Sequence, residues 1–181
     1  MGNGEPSLPA GTEFRRWVRM RRRLDAPPDR VYRTWADPEE LARWFPDRVE
    51  GGLAVGSRGV LVWSDQRVPW EVTAARPNRD FAFRWSWLPD EGLVTDVRVT
   101  IEPAGYGSLL ELQDGPFPLD VPGAIDAWAD AIEVWSDALA KLRATLDFSV
   151  DLRPQAWPRP RQVLPKSSRA STRRADSRRE T

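Results

Sequence analysis

Toward the C-terminal end of the chain, Ile125, Trp128, Ile132, Trp135, Leu139, Leu142 and Leu146 recur at alternating gaps of three and four residues. This spacing stacks the side chains along one stripe of a single helix, predicted from about Pro122 to Phe148. At a rise of about 1.5 Å per residue such a helix is about 40 Å long, enough to cross a whole sheet. Two tryptophans in the first half of the stripe call for a large, concave, apolar partner surface.

The upstream pattern supplies one. From Phe14 to Leu24, Phe14, Val18, Met20 and Leu24 share one parity, while Arg15, Arg19, Arg21 and Arg23 share the other, which predicts a half-buried strand. Arg22 interrupts the apolar face. Two short helices follow. Pro28 opens one that carries Val31 and Trp35, and Asp37-Pro38 gives N-cap and first-turn chemistry for a second, ending near Trp44-Phe45-Pro46. From Arg48 the pattern is a meander: Val60 to Trp63, Val68 to Ala74, the alternating Phe81, Phe83, Trp85 and Trp87, then Val97, Val99 and Ile101, then Leu110 and Leu112. Gly51-Gly52, Gly56 to Gly59, Pro77-Asn78, Pro89-Asp90 and Gly105-Tyr106-Gly107 mark turns close enough together for an antiparallel sheet. The pattern predicts an α+β domain over 13–150, between a loose arm at 1–12 and a Pro/Ser/Arg-rich disordered tail at 151–181.

Composition narrows the chemistry. Neither cysteine nor histidine occurs, which excludes disulfides, a thiolate nucleophile, an imidazole base and a Cys/His zinc site. The expectation is no metal and no cofactor. The zero net charge conceals an asymmetry: Arg153 to Thr181 holds nine basic and two acidic residues, so the tail carries +7 and residues 1–152 carry −7. A basic tail of this kind suits a non-specific anionic partner, nucleic acid included. No apolar run reaches the ~20 residues of a membrane span. The N-terminal residues lack a basic region followed by an apolar core. A cytoplasmic location is expected, and the oligomeric state stays open.

The element order resembles the START-like (SRPBCC, helix-grip) superfamily. The segment RRRLDAPPDRVYRTWADPEELARWF is similar to the opening of the branch named after the activator of heat-shock protein ATPase. PWEVTAARPNRDFAFRWSW and VTIEPAGYGSLLEL resemble its central and last hairpins, and WSDALAKLRATL its terminal helix. The resemblance covers about residues 13–148. It implies a curved antiparallel sheet gripping the C-terminal helix around an apolar cavity. Members of the superfamily bind lipids, sterols, hormones or polyketides, and some are cyclases or dehydratases.

Carried onto this chain, that cavity is lined by Trp128, Ile132 and Trp135 of the long helix, Trp70, Val72, Phe83 and Trp85 of the strands, and Trp44 and Phe45 of the short helices. Plain core packing explains the same aromatics, and in this fold the pocket wall and the core coincide. Asp126, Asp130, Glu133 and Asp137 step by four, three and four along the helix and read as its solvated face. Asp114 closes the last strand at the cavity mouth, although Asp114-Gly115-Pro116 also reads as turn chemistry. Arg22 needs a partner if buried: a structural ion pair or a ligand carboxylate.

Three functions follow. The first is binding of a small hydrophobic molecule between sheet and helix. The second is a cyclase or dehydratase-type enzyme in the same cavity, and the third a chaperone-linked or other interaction module. The missing histidine and cysteine favour binding.

Overall fold

The computed structural model describes residues 14–153, except 65 and 89–91. The expected arm at 1–12, the Pro89-Asp90 turn and the basic tail from 154 on, Trp157 included, therefore lie outside it.

The chain runs β1 (Arg15–Leu24), α1 (Pro28–Ala36), α2 (Pro38–Leu41), β2 (Arg48–Gly51), β3 (Arg58–Trp63), β4 (Gln66–Arg76), β5 (Asp80–Ser86), β6 (Val94–Ala104), β7 (Gly107–Pro118) and α3 (Ala124–Phe148). The strands form one curved antiparallel sheet in the order β1-β7-β6-β5-β4-β3-β2, wrapped around α3. It is the α+β architecture that the pattern predicts, in the helix-grip form that the family resemblance implies. Among the described residues no helix is long and apolar enough to cross a membrane.

Local chemistry sets several boundaries. Pro28 and Pro38 open their helices, and Asp37 Oδ1 accepts from the backbone N–H groups of Glu39 and Glu40 at 2.9 and 3.0 Å. Four boundaries differ from expectation. α3 begins at Ala124, and α2 is a single turn that stops at Leu41. β2 is a strand that its one apolar residue, Val49, does not announce. β7 runs through Asp114 to Pro118 rather than turning at Asp114. There, Gly115 has φ +144° and leaves a Cβ only 2.7 Å from Trp17 Cδ1, so the β1–β7 register shift between Arg16 and Val18 depends on a residue without a side chain.

The face of α3 is rotated from the expected stripe. Ile125 is 59% and Ile132 38% exposed, while Ala124, Ala127, Ala131, Trp135, Ala138, Leu139 and Leu142 are buried. A strict heptad drifts by about 20° per repeat against a straight helix. In the N-terminal half the drift moves the isoleucines off the contact line and brings alanines onto it. Small residues suit that position, because rings from the sheet and the short helices already fill the space.

Arg153, expected in a solvated tail, pairs with Asp151 at 2.7 Å and donates to the carbonyls of Ala42 and Pro46. Arg22 is half-buried on the inward face of β1, but its Nε is buried without a hydrogen-bond partner, and no ion pair involves it among the described residues. The expected structural pair is absent there.

Candidate functional site

The space between sheet and helix is filled rather than hollow. Trp35 meets Trp44 edge-on at 4.8 Å between ring centroids, and Phe45 stacks on Trp135 at 5.2 Å with 20° between planes. Trp85 lies 5.2 Å from Trp135, and Phe45 meets Trp63 edge-on at 5.1 Å. These separations fall in the favourable range for offset and edge-to-face aromatic pairs. Trp44, Phe45, Trp85 and Trp135 thus pack as one aromatic cluster. Trp70, Val72 and Phe83 are buried along the same inner sheet face, with Trp70 edge-on to Phe83 at 5.3 Å. Trp128 is half-buried and Ile132 points outward. No large chamber joins the ten residues expected to line one.

Among the described residues, two openings flank the cluster: a cleft of about 50 Å³ at its edge, lined by Trp63, Gln66, Val68, Trp85, Ser86, Trp87 and Val134, and a more polar depression of about 210 Å³ lined by Trp70 and Trp85 with Arg58, Glu71, Arg84 and their neighbours. In the cleft, only Trp85 belongs to the residues expected from sequence. Trp63 is fixed by donating its N–H to the Phe45 carbonyl at 2.8 Å, and Ser86 by donating to the Leu88 carbonyl at 2.7 Å. Trp87 shares the parity of Phe83 and Trp85, a signal available in the sequence. Val134 sits one residue off the heptad stripe and carries no such signal.

Behind the cleft wall lies Asp114, with 0% of its surface exposed. It follows Leu110 and Leu112 at an inward position of β7 and faces Val18 of β1 and Val97 of β6. Its Oδ2 accepts the indole N–H of Trp135 at 2.8 Å and that of Trp87 at 3.1 Å; the Trp87 N–H also reaches Thr95 Oγ1 at 3.1 Å. The Trp85 indole N–H faces the same carboxylate and helps hold its pKa down, but remains outside hydrogen-bond geometry. Oδ1 is buried with no partner. Burial pushes the Asp114 pKa up to about 6, against the opposing pull of the Thr95 and indole hydrogen bonds. No charged side chain contributes to that shift.

The other acidic candidates are placed differently. Asp126, Glu133 and Asp137 are exposed and Asp130 is half-buried on the outer side of α3, and Asp137 pairs with Lys141 at 2.6 Å. Glu40 bridges Arg30 and Arg43 at 2.8 and 2.7 Å. Two other carboxylates are buried among the described residues, and each is paired with an arginine: Asp80 with Arg76, and Asp147 with Arg143 at 3.2 Å. Asp114 is distinguished by a setting of neutral donors alone.

The family model for the activator of Hsp90 ATPase homolog 1-like protein matches residues 25–147. No curated protein matches the chain. Protein MLL2253 from Mesorhizobium loti is similar with a TM-score of 0.65 and 24% identity, over 72% of this chain and 96% of that one. DynU16, from the dynemicin biosynthetic locus, gives a TM-score of 0.67 and 24% identity over 78% of this chain, which spans 51% of DynU16. The Aha1 dimer from Colwellia psychrerythraea gives 0.64 and 17% identity, over 73% and 96% of the two chains. At these identities the likeness is one of fold. With the family model covering most of the ordered domain, the chain belongs to the activator of Hsp90 ATPase homolog 1-like family.

Proposed function

We propose that the protein binds a small, flat, apolar molecule in the cleft between β4, β5 and α3. The observation that carries this reading is the lining itself. Three indoles and two valines face open space, with Gln66 as the polar group at the rim. Such a surface gains free energy by shedding water onto an aromatic ring. The resemblance to a superfamily of hydrophobe binders supports the same reading. Size sets the ligand class. A cavity that encloses benzene measures about 150 Å³, so a cleft of about 50 Å³ takes a single ring part-way. A sterol or a long acyl chain needs several of the packed tryptophans to move.

The test is toluene binding, followed by saturation-transfer NMR and calorimetry on the full chain and on Val134→Trp. The variant adds an indole at the cleft wall, at a half-buried position of α3. Toluene signals saturated through the tryptophan protons of the unmodified chain, and lost in Val134→Trp, support the site. Equal binding by both proteins, or none by either, overturns it.

A further inference from the structure

We propose that the ligand of the cleft carries an O–H or N–H donor on its ring, and that Asp114 accepts this donor in place of the Trp87 indole. The inference rests on the cleft reading above and deepens it.

The carboxylate is under-supplied with donors. Two indoles share Oδ2, while Oδ1 is buried with none. A buried acceptor left bare costs free energy, and more so for an ionised group. The raised pKa of Asp114 is consistent with that shortage, since the hydrogen bonds it has do not offset its burial. A group that displaces one of these donors must therefore bring a donor of its own, or leave the carboxylate barer still.

The entry route follows from which donor is least fixed. Trp135 is fully buried and held by Trp35, Phe45 and Trp85. Trp87 is only half-buried, and its ring lines the cleft on one side while its N–H reaches Asp114 on the other. A ring entering the cleft presses on Trp87 first. When that indole turns aside, its place beside Asp114 and Thr95 is open to a planar group that also carries a donor.

The chemistry of the place selects the donor. The indoles present N–H edges to the carboxylate, so the group that replaces one is best an aromatic ring with a polar hydrogen in its plane: a phenol, an indole or a similar heteroaromatic N–H. Thr95 Oγ1, now accepting from Trp87, remains as a second partner.

Three probes of one shape test this: p-cresol, 4-methylanisole and toluene, measured by calorimetry at pH 7.5 on the full chain. p-Cresol should bind about 10-fold or more tightly than either of the others, as a hydrogen bond to a charged acceptor implies. The Trp87 indole N–H resonance should move on p-cresol binding, with that of Trp135 nearly fixed. Asp114→Leu, which removes the acceptor at similar volume, should abolish the preference of p-cresol over 4-methylanisole. If toluene binds and p-cresol gains nothing over 4-methylanisole, the donor inference is wrong and the cleft stands. If none of the three binds, the cleft itself falls and takes the inference with it. A preference that survives in Asp114→Leu overturns Asp114 as the acceptor. The wild-type comparison decides the matter even if that variant fails to fold.

Discussion

The two halves of α3 meet the sheet by different means. The C-terminal half buries Leu139 and Leu142 against the apolar core, with α3 packed on β1 and β7. The N-terminal half presents alanines, then Trp135, to a cluster of rings organised around one carboxylate. Branched aliphatic side chains interdigitate in many arrangements and leave few gaps. Rigid indoles fill more volume in fewer ways, and their N–H groups impose directions. The seam between Trp63, Trp85 and Trp87 is where that rigidity leaves open space. The aliphatic half is built to close. The aromatic half leaves openings along the edge of its ring cluster.

The sharpest way to break this comparison is to truncate one residue in each half. Leu142→Ala is expected to cost about 3 kcal/mol, as for a well-packed buried leucine. Trp135→Ala should cost more, about 5 kcal/mol, because it removes three ring contacts and a donor to buried Asp114. A stripe facing a hollow cavity predicts the reverse, with Trp135 cheap for its size. Urea denaturation of both variants decides the order. If Trp135→Ala is no more costly than Leu142→Ala, the aromatic half is looser than its ring geometry says.

The second prediction sharpens the electrostatic side. Asp114 has a folded pKa of about 6 against the ordinary 3.8 of an aspartate, so the folded state binds the proton more tightly than the unfolded chain. Stability from this group is fully present below about pH 4 and is lost as pH rises through 6. A shift of about two units corresponds to roughly 3 kcal/mol. Glu50, held at about 2 by Arg67 and Arg48, gives the opposite slope in acid, so the whole-protein profile mixes the two. The difference between wild type and Asp114→Asn isolates Asp114. Unfolding free energies from pH 4 to 7.5 should show the wild type losing stability relative to the variant over that window. Parallel profiles would mean that the carboxylate is well solvated or fully satisfied.

Much of the fold was legible because half-buried strands must alternate, and the run from Phe81 to Trp87 does so plainly. Asp37-Pro38 announced α2 through its own cap. β2 was hidden because Val49 alone cannot show a period. The candidate site was far less legible. Its acceptor and donors come from separate elements, Asp114 standing 27 residues from Trp87 and 21 from Trp135, so no local spacing joins them. Asp114 could be found by parity, since it continues the inward row of Leu110 and Leu112. The sequence does single it out as a cavity candidate, with Asp114-Gly115-Pro116 offering a turn as the competing reading. The cleft was missed because the largest side chains filled the volume expected to be empty, and the gap moved to their edge.

Alanine is the reason the register of α3 was misread, and it gives the smallest and most local prediction. The heptad counted large apolar residues, so it saw Ile132 and passed over Ala131. In the structure Ala131 is fully buried and Ile132 is 38% exposed. Adjacent residues on a helix point about 100° apart, so only one of the two can face the ring cluster. Ile132→Ala, on the outer side, should change stability by no more than about 0.5 kcal/mol. Ala131→Leu adds three heavy atoms at a fully buried position of α3 and should cost about 1 to 3 kcal/mol through overpacking. Thermal and urea unfolding of the two variants gives the sign directly. A costly Ile132→Ala beside a tolerated Ala131→Leu would return the helix to its heptad face. It would also move Val134, and with it the cleft wall, away from Trp85 and Trp87.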